Sequence, residues 1–383
     1  MNPTEEPSPG ASIAAAGPVR VAGRDVRLDA LRGFFLILMA GVHFPTPCTD
    51  SFHDPLGVVG AADGFVFLSA GLAGRVYGRL DEQYPWPRQR ERIWRRVRVI
   101  YQAHLLTLLP IALLAGLLAR WIPALASHFA DLLVHPVGGY LLMPLLLHQP
   151  PLFDILPLYI LFLAATPLLL TLARRCGWLP LVGASLALWL GVQCHGDAAL
   201  FADPTRWLPV RWGSFDPFAW QFLWFSGIAL GEASHRLNLP HLARRMPGLV
   251  VPAAGIVLFG LIKRHGLWPH AWWNNDLYLW MDKWTLGPLR LLDFFAWVLV
   301  LIAWNPRVPG SLLAPFALLG RHSLNVFALH IPLAIGLAVW FQMNPPAPIG
   351  QSLAALGALG GLYLGAWFWE RKAPPLPCPV QGR

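Results

Sequence analysis

Residues 28–45, LDALRGFFLILMAGVHFP, decide how the rest of the chain is read. The stretch is apolar enough for a bilayer, yet it carries Arg32 and, eleven residues later, His43. Ionisable groups inside a transmembrane helix are costly and mark a site or a pathway. Eleven residues of α-helix make about three turns, so both side chains fall on one face, on the order of 16 Å apart along the axis. A cation towards one membrane surface and an imidazole deeper in, on one wall, read as a reaction channel.

Nine more apolar stretches follow. The pattern predicts helices near 28–46, 57–78, 97–121, 152–173, 178–195, 216–235, 247–263, 287–304, 322–342 and 351–369, each about long enough to cross a bilayer core. Segment 137–148 is apolar but short, and Pro136, Gly138 and Gly139 point to a re-entrant or interfacial piece. The 383 residues are 56% hydrophobic and 13% charged, with 19 Trp, which excludes an ordinary soluble domain. Continuous rather than alternating apolar runs argue against a transmembrane β-barrel. The expected fold class is therefore all-α, a polytopic membrane bundle of about ten transmembrane helices.

Net charge is +9, but the basic residues lie in short loops and form no single nucleic-acid face. One side of the predicted topology collects twenty Lys and Arg and the other about five, so both termini are expected in the cytosol. Residues 1–26, rich in Pro, Ala and Gly, read as a disordered cytosolic tail. Residues 27–370 read as one transmembrane domain without internal repeats, and 371–383 as a second cytosolic tail. The four cysteines suit neither a disulfide framework nor a metal site. Cys48 and Cys194 fall on the same predicted side, which leaves a pair or two small packed thiols.

His43 fits a general base, because neutral imidazole takes a hydroxyl proton near physiological pH; a histidine at a helix end that simply meets water is the bland alternative. Arg32 stays protonated and suits an anionic group, or a partner such as Asp29 or Asp63. Asp63 opens AADGFVFLSAGLAGRVYG (61–78), whose Gly64, Ser69, Ala70, Gly71 and Gly74 allow close helix packing. Its carboxylate is expected to face His43 or a buried arginine. RQRERIWRRVRVIYQAH (88–104) is a positive-inside loop that also attracts a polyanionic donor such as a coenzyme A thioester. Arg95, Arg98 and His104 are its candidate contacts.

Further polar groups recur in FDILPLY (Asp154, Tyr159), FDPFAWQ (Asp216, Gln221), DKWTLGPLRLLDFF (Lys283, Arg290, Asp293) and LGRHSLNVFALH (Arg321, His322, Ser323, His330). Arg290 and Asp293 have the spacing of a within-helix ion pair, and His322 and His330 are candidates to line one wall. Aromatic loops at 196–215 and 264–285 suit the membrane interface or the faces of sugar rings. Metal-ligand spacing, a Walker loop and a dinucleotide fingerprint are absent.

Taken in order, these segments resemble the OpgC family of the transmembrane acyltransferase superfamily, from about residue 24 to 343. The Arg32–His43 spacing is also that of the broader acyltransferase group that modifies surface polysaccharides. The resemblance implies a multi-pass enzyme of the bacterial inner membrane that moves an acyl group, succinyl in OpgC itself, from cytosolic acyl-CoA to a periplasmic glucan. It implies no metal and no cofactor beyond the acyl-CoA donor; membrane lipids and a glycan acceptor are the other partners. His43 and Asp63 would be catalytic, and Arg32, Arg95, Arg98 and His104 would meet the donor. Asp154, Tyr159, Asp216, Gln221, Lys283, Arg290, His322, Ser323 and His330 would line the acceptor site or channel. Val42 stands where the family commonly has Asp, and Val59 and Gly60 where it usually has Ser-Asp, which leaves Asp63 as the acidic partner. The alternatives are acetylation of another surface polysaccharide, or a transporter or scaffold of similar fold without chemistry.

Overall fold

The computed structural model describes residues 25–81, 85–195, 211, 213–267 and 277–372. The expected N-terminal tail up to residue 24, the aromatic stretches 196–210 and 268–276, Trp212 and the tail from residue 373 lie outside the described residues.

Apolar runs bounded by Pro, Gly and Asp become helices. The long ones are α1 (Val26–His43), α2 (Ala61–Asp81), α3 (Trp86–Leu118), α4 (Ile155–Cys176), α5 (Trp178–His195), α6 (Pro217–Arg236), α7 (Pro247–Arg264), α8 (Pro288–Trp304), α9 (Gly310–Arg321), α10 (Ser323–Met343) and α11 (Pro348–Lys372). Each expected segment coincides with one of them, and α9 is additional. Among the described residues the fold is all-helical, without strands. Five helices, α3, α4, α7, α10 and α11, are long and apolar enough to cross a membrane by length and composition.

The structure departs from the apolar pattern at α3, which starts at Trp86 because the basic stretch is itself helical. Ile93, Val97, Ile100, His104 and Leu108 are buried at helical spacing, while Arg95 and Arg98 stay exposed on the other side. The 137–148 segment forms only the short helix Pro136–Leu142 and a turn. It lies along α3 through Tyr101 Oη donating to the Pro144 carbonyl (2.8 Å) and Tyr140 Oη donating to the Ala112 carbonyl (2.9 Å).

Lipid offers no hydrophobic drive between apolar helices, so small residues decide where backbones approach. Gly33 of α1 faces the Phe316 carbonyl, and Gly320 of α9 faces the Asp29 carbonyl; a methyl at either place would enter the opposing backbone. The expected small-residue face of α2 meets α6 in the same manner, Gly71 and Gly74 against Gly231 and Ile228.

Two connections are clamped. Loop 44–60, between α1 and α2, is tied to α7 and α8: Arg264 Nε donates to the His53 carbonyl (2.9 Å), Trp297 Nε1 to Leu56 (2.7 Å), and Val58 N to Asp293 Oδ2 (3.0 Å). Loop 281–287, before α8, accepts from Trp189 Nε1 at Leu286 (3.0 Å), Gln193 Nε2 at Thr285 (2.8 Å) and Trp220 Nε1 at Trp284 (3.0 Å). Neither reading of Cys48 and Cys194 holds, since they are neither paired nor packed away. Both thiols are free and exposed, one in the loop fastened to α7 and α8, the other closing α5.

Candidate active site

α1 delivers Arg32 and His43 to one helix at two heights. Arg32 Nη2 donates to Ser323 Oγ at 2.6 Å, where α10 begins. About three turns further, His43 Nδ1 lies 3.0 Å from His330 Nε2, with the two rings 17° from coplanar. The shared face read from the spacing is therefore real, and α10 is what stands opposite it.

An aromatic stack separates the two contacts. Arg32 Cζ sits 5.7 Å from the Phe65 ring centroid, and Phe65 stacks on Phe327 at 6.3 Å. Phe327 meets His330 edge-on at 4.7 Å. His330 Nδ1 reaches back to the Phe327 carbonyl at 2.5 Å.

A buried ion cluster is the second polar feature among these helices. Asp63, with 0% exposure, accepts from Arg290 Nε (3.0 Å) and from Gly60 N (2.7 Å). Arg290, with 2% exposure, grips Asp54 with both terminal nitrogens, at 3.3 and 3.1 Å. The expected buried arginine for Asp63 is thus Arg290. The expected pair within α8 does not form: Arg290 spends its donors on Asp63 and Asp54, and Asp293 holds Val58 N instead. Asp54 was not singled out from sequence. Its one signal is a carboxylate in the short polar stretch between two apolar runs, where its φ of 44° marks a strained turn.

Lys283 joins this cluster from the clamped loop. Its ammonium lies 5.7 Å from the Phe215 centroid and 5.2 Å from that of Trp284. Burial lowers its pKa from the usual lysine value, against the raising effect of Asp63, Asp54 and Asp154. Lys283 and His53 both act electrostatically on His43. Asp154 accepts from Ser214 N at 3.0 Å and so holds the chain that leads into Phe215.

Other expected polar residues hold the frame. Asp216 caps α6 by accepting from Ala219 N at 2.7 Å. Gln221 ties α6 to α5, accepting from Ser185 Oγ (2.5 Å) and donating to the Ser185 carbonyl (2.8 Å). Tyr159 packs edge-on against Trp224 at 5.1 Å. His322 and His330 do not share a wall: His322 bonds Glu370 of α11 at 2.7 Å, beside the Arg321–Glu370 pair. Eight residues of helix leave them roughly 80° apart in rotation. Arg95 pairs with Glu91 on the exposed side of α3. His104 is buried with 0% exposure and no hydrogen bond at either ring nitrogen, edge-on to Phe153 at 6.4 Å. Among the described residues no group of three or more His, Cys, Asp or Glu is placed to hold a metal ion.

An imidazole pair and a buried ion cluster inside a set of apolar helices define a multi-pass membrane protein with a polar internal site. The family model described as OpgC protein matches residues 24–373, and the chain belongs to the OpgC family. The match runs past the expected limit near residue 343 to take in all of α11. No curated protein and no solved structure matches the chain. Family membership fits a membrane acyltransferase.

Proposed function

We propose that this protein is an inner-membrane O-acyltransferase that carries an acyl group, succinyl first among the candidates, from cytosolic acyl-CoA to a hydroxyl of a periplasmic glucan or related glycan. In this reading the ten expected spans cross the bilayer with both termini in the cytosol. The observation that carries it is His43, a half-buried imidazole held by a second imidazole and acted on by Lys283, which in turn feels the buried Asp63–Arg290–Asp54 cluster. The Arg32 end of α1, with the arginines of α3, then faces the anionic donor, and the His43 end faces the acceptor.

The chemistry is direct transfer. His43 takes the proton of the acceptor hydroxyl as its oxygen attacks the thioester carbonyl. The tetrahedral intermediate places negative charge on the carbonyl oxygen, and Lys283 supplies the positive charge that stabilises it. Collapse breaks the carbon–sulfur bond, forms the glycan ester, and returns the proton from imidazolium to the coenzyme A thiolate. The clamped loops keep His43 and Lys283 in register, because an ester transfer depends on reactants being held in a near-attack geometry.

Mass spectrometry of glycans from cells with the wild type, with His43→Ala and without the protein tests this. A succinyl mass increment that requires His43 is expected; an acetyl increment would move the reading to acetylation. Full transfer by a well-inserted His43→Ala variant would overturn the base assignment.

A further inference from the structure

We propose that His330 is a positioning residue that fixes the tautomer of His43 and leaves the basic lone pair of His43 on Nε2. The inference rests on the acyltransferase reading for its catalytic meaning, but its geometry stands by itself.

The argument starts at a backbone carbonyl. His330 Nδ1 lies 2.5 Å from the Phe327 oxygen. A carbonyl only accepts, so Nδ1 carries the proton. A neutral imidazole with its proton on Nδ1 has an acceptor at Nε2. That acceptor faces His43 Nδ1 at 3.0 Å, so His43 must bring the proton to this contact. The remaining nitrogen of His43, Nε2, is then unprotonated and available as a base. One carbonyl thereby sets two tautomers in series.

The opposite assignment has no support in the surroundings. An imidazolium at His330 would need a counterion, yet its two ring nitrogens go to a carbonyl and to another imidazole. It would also donate to His43 Nδ1, forcing the neutral His43 proton onto Nε2 and leaving nothing to accept from a hydroxyl. In serine hydrolases a carboxylate does the corresponding work of holding a histidine in the right tautomer. Here a neutral ring does it with 2% exposure, where an additional charge would be expensive.

His330→Gln separates positioning from bulk, because its amide has both functions: N–H₂ for the Phe327 carbonyl and an oxygen for His43 Nδ1. His330→Leu keeps volume and has neither. We expect His330→Leu to lose transfer by about 10²–10⁴-fold in kcat, the range of general-base catalysis, with KM for acyl-CoA little changed, and His330→Gln to restore most of it. Nitrogen-15 spectra of the histidine-labelled full-length protein in lipid nanodiscs should show neutral His43 protonated at Nδ1 in the wild type. His330→Leu should lose that single form. A wild-type His43 protonated at Nε2 overturns the proposal without reference to activity, and this readout decides the matter if His330→Leu fails to fold. Wild-type turnover by a folded His330→Leu, alongside an inactive His43→Ala, overturns it while the acyltransferase reading survives. Full activity of His43→Ala with the Nδ1 form intact sinks the catalytic reading and leaves the tautomer assignment standing.

Discussion

Arg290→Met should be among the most damaging single substitutions in the chain, and its damage should be reversible. Arg290 makes one hydrogen bond to Asp63 and two to Asp54. The two carboxylates differ in what happens when the guanidinium goes. Asp54 is 30% exposed and can be rehydrated, whereas Asp63 at 0% keeps one hydrogen bond, from Gly60 N, and the charge of Lys283 without a direct ion pair. An orphaned buried charge of this kind costs roughly 3–5 kcal/mol, against a total native stability of about 5–15 kcal/mol. Met replaces most of the aliphatic stem, so lost packing adds little. Adding Asp63→Asn removes the orphan charge while the amide oxygen still accepts from Gly60, and the pair of changes should recover much of the loss. A coupling of about 2–3 kcal/mol, near the top of the range for contacting residues, is expected. Thermal unfolding of the wild type, both single variants and the double variant in nanodiscs measures it. If the double variant melts where simple addition of the singles puts it, the buried charge is not what Arg290 neutralises.

Asp25→Ala should cost about 1 kcal/mol by removing the N-cap of α1, where its carboxylate accepts from Arg27 N at 3.1 Å. Burial raises the Asp25 pKa, but the hydrogen bond and charge of Arg27, helped by Arg75, outweigh it and hold it below the usual value. The contribution should therefore be complete above the ordinary carboxylate range and fade as pH falls through the lowered value, which a pH series of melting curves on both proteins checks. Gly320→Val should prevent accumulation of folded protein, because α9 meets the Asp29 carbonyl of α1 there, while Gly183→Ala, with open space around it, should melt within about 1 kcal/mol of wild type. Trp220→Phe keeps a ring beside Phe215 but loses the tie to loop 281–287, and should cost about 0.5–1.5 kcal/mol in unfolding measurements. Its fractional loss of transfer should match that of Gln193→Ala, the neighbouring tie to the same loop.

Faces of single helices were legible in the sequence because helical spacing alone defines them. The Arg32–His43 face and the glycine face of α2 follow from that rule, and the need of Asp63 for a partner, His43 or a buried arginine, follows from the cost of an unpaired charge in hydrocarbon. What stands opposite a face is a tertiary fact, and most misreadings lie there. Arg290 and Asp293 have ideal spacing for each other, yet loop 44–60 offers both a better partner. His322 and His330 looked like neighbours, but roughly 80° of rotation sends one to α11 and the other to α1. Asp216, Gln221 and Tyr159 are polar groups in apolar runs, which marks a need for partners and does not distinguish a substrate from the helix next door.

Gly60 shows how a departure from a family pattern can be made good in space. The resemblance places a carboxylate at this position, and the chain has no side chain there. A Cβ at residue 60 would stand 2.6 Å from Asp54 Oδ1 and 2.7 Å from Arg290 Nη2. The room beside Asp63 is thus taken by a carboxylate that arrives from loop 44–60, together with the guanidinium that neutralises it. Any side chain at 60 would have to displace one of them, and the cluster would lose either its second acid or its only link from α8 to Asp63. Asp54 supplies the acid from six residues further back in the same loop, and the loop is clamped to α7 and α8 by Arg264, Trp297 and Asp293. Those clamps make sense if a group on a loop must be held as firmly as one on a helix.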